Sequence, residues 1–474
     1  MKNFFVLSVI LVATLVFGET MAASAQGYLG LPPIARDEFN RITRYYYYDA
    51  VCWMKDERHA QVIDSDEVAT CDGAIDHLDR FVAKKKFTAL FDARYRRIIE
   101  LRRQELLQAE LGKLGIQTIR TQLSDSKLHL SAPEQKMLMH LVRAGNLIEQ
   151  AHHLQLNTWE LNASAINRGT PTDAAFVRHF QTPWCEGIED PLCNAMSTFP
   201  SERRFYPQSF FDDKGNARCD LLTKGGRELL NPFYAIVKGD KGFVAQPFTV
   251  AYRGALEPAA AELRQAAELA KALPNEKPLA TYLDKAAEAL LRDGLNPFHE
   301  SDQAWLDAAH ESKFYVRIGA DEQYWEDCHV KAGYHAQIGI VDPVASQTLE
   351  AYRPHIKAME GLFEKRIGTA TYKARDVQVK MPEVVDVILF SGDARSANQT
   401  TIGQTLPNQC GPDGTEQCTS NRTIVYRNHI EASYTGKSAP RIYLMFAEEV
   451  RKNFNAQGSV DLTALHEFAH NLGP

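Results

Sequence analysis

The end of this chain constrains its fold more than any other segment. His466-Glu467-Phe468-Ala469-His470, followed by Asn471-Leu472-Gly473-Pro474, is chemically useful only as an α-helix. Two histidines four positions apart project about 40° apart on a helix, so both imidazoles reach one Zn²⁺ while Glu467 faces a metal-bound water. Asp461 or Ser459 is placed to cap this helix, Leu462, Leu465, Phe468 and Ala469 supply an apolar face, and Gly473-Pro474 stops it. A catalytic zinc takes three protein ligands and a water, the third ligand usually lying beyond the second histidine. The sequence therefore leads us to expect a C-terminally truncated chain, binding zinc weakly and turning over slowly or not at all.

The other end reads as a leader. Lys2, the apolar run of residues 4–17 and Ala23-Ser24-Ala25 form a signal peptide over residues 1–25, too short to span a bilayer. The expected location is periplasmic or secreted, with no membrane span after cleavage. All eight cysteines lie beyond that point: Cys52, Cys71, Cys185, Cys193, Cys219, Cys328, Cys410 and Cys418. An even count in an exported chain suggests disulfides. Cys52/Cys71, Cys185/Cys193 and Cys410/Cys418 are close in sequence, which leaves Cys219/Cys328 by elimination. None has the C-x-x-C spacing of a structural zinc site.

A net charge of −7 excludes a generally basic nucleic-acid binder. Lys84-Lys85-Lys86 and Arg94, Arg96, Arg97, Arg102 and Arg103 sit among Asp92, Glu100 and Glu105, the pattern of a solvated helix face. At 45% hydrophobic residues the chain can bury a sizeable core in two or more domains.

Residues 26–168 read as helical, with helical periodicity over 87–113 and a capping box, Ser131-Ala132-Pro133-Glu134, opening a helix toward residue 164. Residues 169–255 read as a loop-rich connector, since prolines, glycines, aromatics and cysteines displace that periodicity. Helices return over 256–312, at 256–273, 279–292 and 301–312, the last capped by Ser301. From 313 to 446 the period becomes that of strands, at 314–318, 335–341, 384–390, 423–427 and 441–446, interrupted by a helix at 346–366 and a polar stretch at 391–421. Residues 447–474 begin the segment that holds the histidines.

Several segments resemble the dipeptidyl-peptidase III zinc metallopeptidases, in order and spacing across residues 245–474. Tyr282-Leu283-Asp284-Lys285-Ala286 through Ser301-Asp302-Gln303-Ala304-Trp305-Leu306 resembles a helical run ending in S-D-x-A-W. Tyr324-Trp325-Glu326-Asp327-Cys328-His329-Val330 resembles the next W-D-x-x-V, and Ser391-Gly392-Asp393-Ala394-Arg395 through Leu406-Pro407-Asn408 resembles G-D…L-P-N. The terminal segment resembles H-E-x-x-H-x-x-G-P. The resemblance implies a mostly helical α+β fold, two lobes around a cleft, with a smaller β-rich, barrel-like lobe. It also implies Zn²⁺ held by His466 and His470, Glu467 as general base, and substrate contacts from Gly392, Asp393 and Asn408. The family's E-x-Y-x-D-P motif, whose acid and tyrosine address substrate, finds only Asp342-Pro343 in the segment from Ile338.

The function implied is hydrolysis of short peptides; the alternative is a non-catalytic periplasmic protein that binds peptides or other ligands. Oligomeric state is not legible. The sequons at Asn162, Asn398 and Asn421 read as incidental, Tyr45 to Tyr48 as packing, His152, His153 and His310 as ordinary polar positions, and His329 and His335 as histidines near the cleft.

Overall fold

The computed structural model describes residues 100, 103–112, 128–185, 193–195, 205–212, 216–323, 326–377, 380–395, 401–416, 418, 421–434, 447–453 and 455–472. The leader, Cys52, Cys71, Tyr45 to Tyr48, Asn398 and the strand expected at 441–446 lie outside these residues. The chain divides into two compact units, residues 1–114 with 160–200, and residues 115–159 with 201–474.

In the first unit, helices run over 103–112, Trp159–Arg168 and Pro171–Phe180, the last in the stretch expected to be connector. Thr170 caps the helix that Pro171 opens, accepting the Asp173 N–H while the Asp173 carboxylate accepts that of Thr170. Leu107, Phe176, Val177 and the bonded pair Cys185–Cys193 form its core. Arg103 departs from the expected solvated face. Only 1% exposed, it is buried because Glu100 at 2.6 Å and Asp173 at 2.5 Å bracket its guanidinium.

The second unit stacks helices on a sheet. Helix α1, Ala132–Gln155, starts with the expected capping box of Ser131 and Glu134, and ends near Leu156, earlier than its periodicity suggested. Helix α2, Arg253–Lys271, buries Ala255, Ala259, Ala260, Leu263, Ala266, Ala267 and Ala270, so α1 and α3, Lys277–Ala289, pack closely against it. Helix α4 spans His299–Asp307, and Ser301 lies inside it rather than at its N-cap, its hydroxyl donating to the Phe298 carbonyl. The stretch 343–367 breaks into Pro343–Thr348, a tighter turn of helix over Leu349–His355, and α5, Ile356–Ile367, because Pro354 cannot continue a regular ladder.

Strands β1, Tyr234–Gly239, and β2, Gly242–Pro247, form a separate hairpin. The main sheet contains β3, Phe314–Ala320, β4, Tyr334–Val341, β5, Glu383–Gly392, β6, Gly403–Leu406, and β7, Arg422–Tyr426, in the order β3-β4-β5-β7-β6. All pairs are antiparallel except β5 with β7. It is an open sheet; the described strands close no barrel, contrary to the barrel-like expectation. Every residue of β3 is buried, Arg317 included, which explains why its sequence shows no alternation of apolar and polar positions. The edge strand β6 was hidden in the polar stretch at 391–421, since Gln404 and Thr405 interrupt any apolar alternation.

Helix α6, Ala456–Ala469, carries the histidines and lies against β6 and β7. Its N-cap is Asn455, whose side chain accepts the Gly458 N–H; Asp461 and Ser459 are inside the helix. Val460, Ala464, Phe468 and Leu472 form its buried stripe, whereas Leu462 is 70% exposed and Ala469 also faces outward. The strict i, i+4 spacing of the buried set selects the packed face. Cys219–Cys328 and Cys410–Cys418 are at disulfide distance, 2.01 and 2.05 Å between sulfurs. No described helix is long and apolar enough to cross a membrane.

Candidate functional site

A cavity of about 860 Å³ opens where α6 crosses the β6–β7 edge. Its wall combines His466 and Glu467 of α6 and His470, the residue that caps its C-terminus, with Glu322 beyond β3, Asp393 beyond β5, and Asn408 and Glu416 beyond β6. Four carboxylates thus face one space, and no described lysine or arginine lines it.

The two exposed imidazoles have ring centroids 5.3 Å apart with planes at 84°. Together they offer two nitrogen donors to one cation, the helical spacing that a zinc ion uses. Among the described residues no group of three His, Cys, Asp or Glu side chains is close enough to hold a metal. His466 and His470 offer two donors for a zinc shell, and among the described residues no third joins them.

Glu467 is half-buried between them. Burial lifts its carboxyl above the usual carboxylate range, partly offset by the two histidines and by Thr405. The Thr405 hydroxyl lies 2.8 Å from the Glu467 carbonyl and 3.3 Å from its carboxylate, tying strand β6 to the helix. Gly403, also on β6, makes the approach possible: a Cβ there would stand 2.6 Å from the Glu467 Cγ and 2.9 Å from the Thr463 methyl.

Of the substrate-side residues expected from sequence, Asp393 and Asn408 line this cavity and Gly392 does not. Gly392 acts one residue back. Its φ of +64° turns the end of β5, and a Cβ would meet the Tyr334 carbonyl at 2.0 Å, so only glycine fits. Its N–H donates to the Glu149 carboxylate on α1, which also holds Arg395. His335 reaches the cavity wall, whereas His329 is not part of it.

Protein-family models and curated proteins provide no match to the chain. Solved structures do. Dipeptidyl-peptidase III from Caldithrix abyssi matches with a TM-score of 0.62 at 23% identity, over 78% of this chain and 68% of that one. The same enzyme from Corallococcus sp. strain EGB gives 0.60 at 22%, over 78% and 67%. The fold is dipeptidyl-peptidase III-like.

Within this dipeptidyl-peptidase III-like fold, Glu322 and Glu416 are cavity carboxylates that sequence reading missed, and Glu322 is the one with a sequence signal. Its signal was present: Glu322-Gln323-Tyr324 has the E-x-Y order sought farther along at Ile338, where only the Asp-Pro half matches. Asn408 Nδ2 donates toward Glu322 Oε2 at 3.4 Å, and Gln404 Nε2 toward Oε1 at 3.2 Å. Behind Glu322, Arg317 is fully buried and donates to Asp302 at 2.6 Å and to Asp321 at 2.9 Å. His335 Nε2 stands 2.8 Å from the same Asp321, an electrostatic contact rather than an aligned hydrogen bond.

The contact at Gly403 leads to a prediction. Gly403→Ala is expected to push the Glu467 carboxylate off its position and lower kcat on the order of 10²-fold, with zinc content and melting temperature near wild type. An unchanged kcat would show that β6 does not set the position of Glu467.

Proposed function

We propose that this protein is a zinc-dependent peptidase acting on short peptides, with His466 and His470 as two zinc ligands and Glu467 as general base. The observation that carries the reading is the convergence of the H-E-x-x-H helix with Glu322, Asp393 and Asn408 on one cavity, in a dipeptidyl-peptidase III-like fold. Bound zinc would supply a water acidified toward neutrality and a polarised scissile carbonyl. Glu467 takes a proton at its carboxylate and returns it to the leaving amine, a task suited to a carboxyl whose proton affinity burial has increased. Glu322, Asp393 and Asn408 hold the peptide, their acceptors matching its N–H and ammonium groups. The leader-like residues 1–25 and the disulfide pairs support a periplasmic or secreted location.

The test is mass-spectrometric identification of products from a library of short peptides, with the protein as purified, treated with chelator, and reloaded with zinc. Cleavage that chelation removes and zinc restores is the expected result. Chelator-resistant cleavage would overturn the zinc assignment. Tight peptide binding with no products in any arm would establish the non-catalytic alternative.

A further inference from the structure

Beneath the cavity floor, a chain of buried polar side chains leads to Glu322. Tyr315 on β3 and Tyr426 on β7 place their hydroxyls 2.9 and 2.6 Å from Gln337 Oε1 on β4. Gln337 Nε2 lies 2.7 Å from Gln404 Oε1 on β6, and Gln404 Nε2 lies 3.2 Å from Glu322 Oε1. Tyr315, Gln337 and Tyr426 are at most 1% exposed and Gln404 is 6% exposed, so water cannot exchange freely for these partners.

The carboxylate end determines the polarity of the whole chain. An ionised carboxylate only accepts, so Gln404 must turn its amide N–H to Glu322 and its carbonyl inward. That carbonyl then accepts the amide N–H of Gln337 at 2.7 Å, with the Tyr426 hydroxyl 3.2 Å away as a second neighbour, and the Gln337 carbonyl is left to accept from the phenol hydroxyls. Both phenols can serve, because burial raises each of them and keeps its proton in place. Reversing Gln404 would set its carbonyl oxygen against the carboxylate, and reversing Gln337 alone would set the two amide carbonyls against each other. All donors therefore point one way, toward the cavity, and each bond polarises the next.

We infer that Gln404 is a positioning residue for substrate binding, anchored by Tyr315, Gln337 and Tyr426, and that it orients the Glu322 carboxylate toward the peptide. The inference rests on the reading of Glu322 as a peptide-holding group. Gln404 itself stays on strand β6, next to Gly403 and Thr405, so the edge strand that seats Glu467 also aims Glu322.

The experiment compares kcat and KM for a cleaved short peptide in wild type, Gln404→Leu and Tyr426→Phe, with zinc content and melting temperature measured for each. Gln404→Leu removes a donor to a charged acceptor and should raise KM roughly tenfold at near-constant kcat and full zinc content. Tyr426→Phe leaves Gln404 in place but weakens its anchor, and should raise KM by a smaller factor; it also serves if Gln404→Leu does not fold. Unchanged KM in the folded variants, or a fall in kcat alone, overturns the inference. Absence of cleavage by wild type would overturn the peptidase reading instead. The crystal structure of a folded variant then decides the relay: a rotated Glu322 carboxylate supports it, and an unmoved one refutes it.

Discussion

Glu467→Gln is expected to retain zinc and lower kcat by roughly 10²–10⁴-fold, the contribution typical of a positioned general base. The amide keeps the size of the side chain and can still meet the Thr405 hydroxyl, so strand β6 and helix α6 should stay together. It cannot accept the water proton. His466 and His470 are untouched by the change, and a zinc assay on the same preparation separates lost chemistry from lost metal. The complementary change, His466→Ala, should lose both zinc and turnover. A Glu467→Gln variant that cleaves at the wild-type rate would remove the carboxylate from the reaction and require another base on the cavity wall.

Arg317→Met is expected to destabilise the fold by about 3–5 kcal/mol, the cost of stranding buried charge when one partner of a buried pair is removed. Arg317 is completely buried, spanning Asp302 and Asp321 with its guanidinium 4.8 Å from the centre of the Trp305 ring. Methionine fills much of the volume and supplies none of the donors. Burial already pushes the Asp302 carboxyl up to about 6 despite Arg317. Burial also opposes ionisation of Asp321, but the guanidinium and His335 outweigh it, and its net shift is downward.

The sign of the pH effect follows. A raised carboxyl favours the fold most when protonated, below its ordinary range near 3.8, and loses that contribution as pH rises through about 6. Without Arg317 the largest offset to the ionised forms is gone, leaving His335 beside Asp321 and a weaker contribution from His299 at Asp302, so the loss of stability should be larger at pH 8 than at pH 5. Urea unfolding at the two pH values reads this directly. A penalty that is small and independent of pH would mean the two carboxylates are solvated in the variant and that the cluster is not a rigid support for Glu322.

The helix that bears the candidate chemistry was legible in sequence, because H-E-x-x-H is a local property, but its packed face was not: of the expected apolar set only Phe468 belongs to the buried stripe of Val460, Ala464, Phe468 and Leu472. Legible too were the α1 capping box and four strands of the main sheet, whose apolar runs need no knowledge of distant partners. Sequence order also brought Asp393 and Asn408 forward through their resemblance to a known family. What it could not supply were relations between residues far apart along the chain. Arg103 looks like one charge in a solvated cluster until Asp173, seventy positions away, closes on it. β6 is too short and polar to announce itself, and becomes a strand because β7 offers a free edge to pair with. Gly403 matters only because α6 crosses it, and Gln404 only because Gln337 and Glu322 flank it. Local periodicity specifies which face of an element is apolar, while close approach and hydrogen-bond polarity arise only when elements distant in sequence share one space.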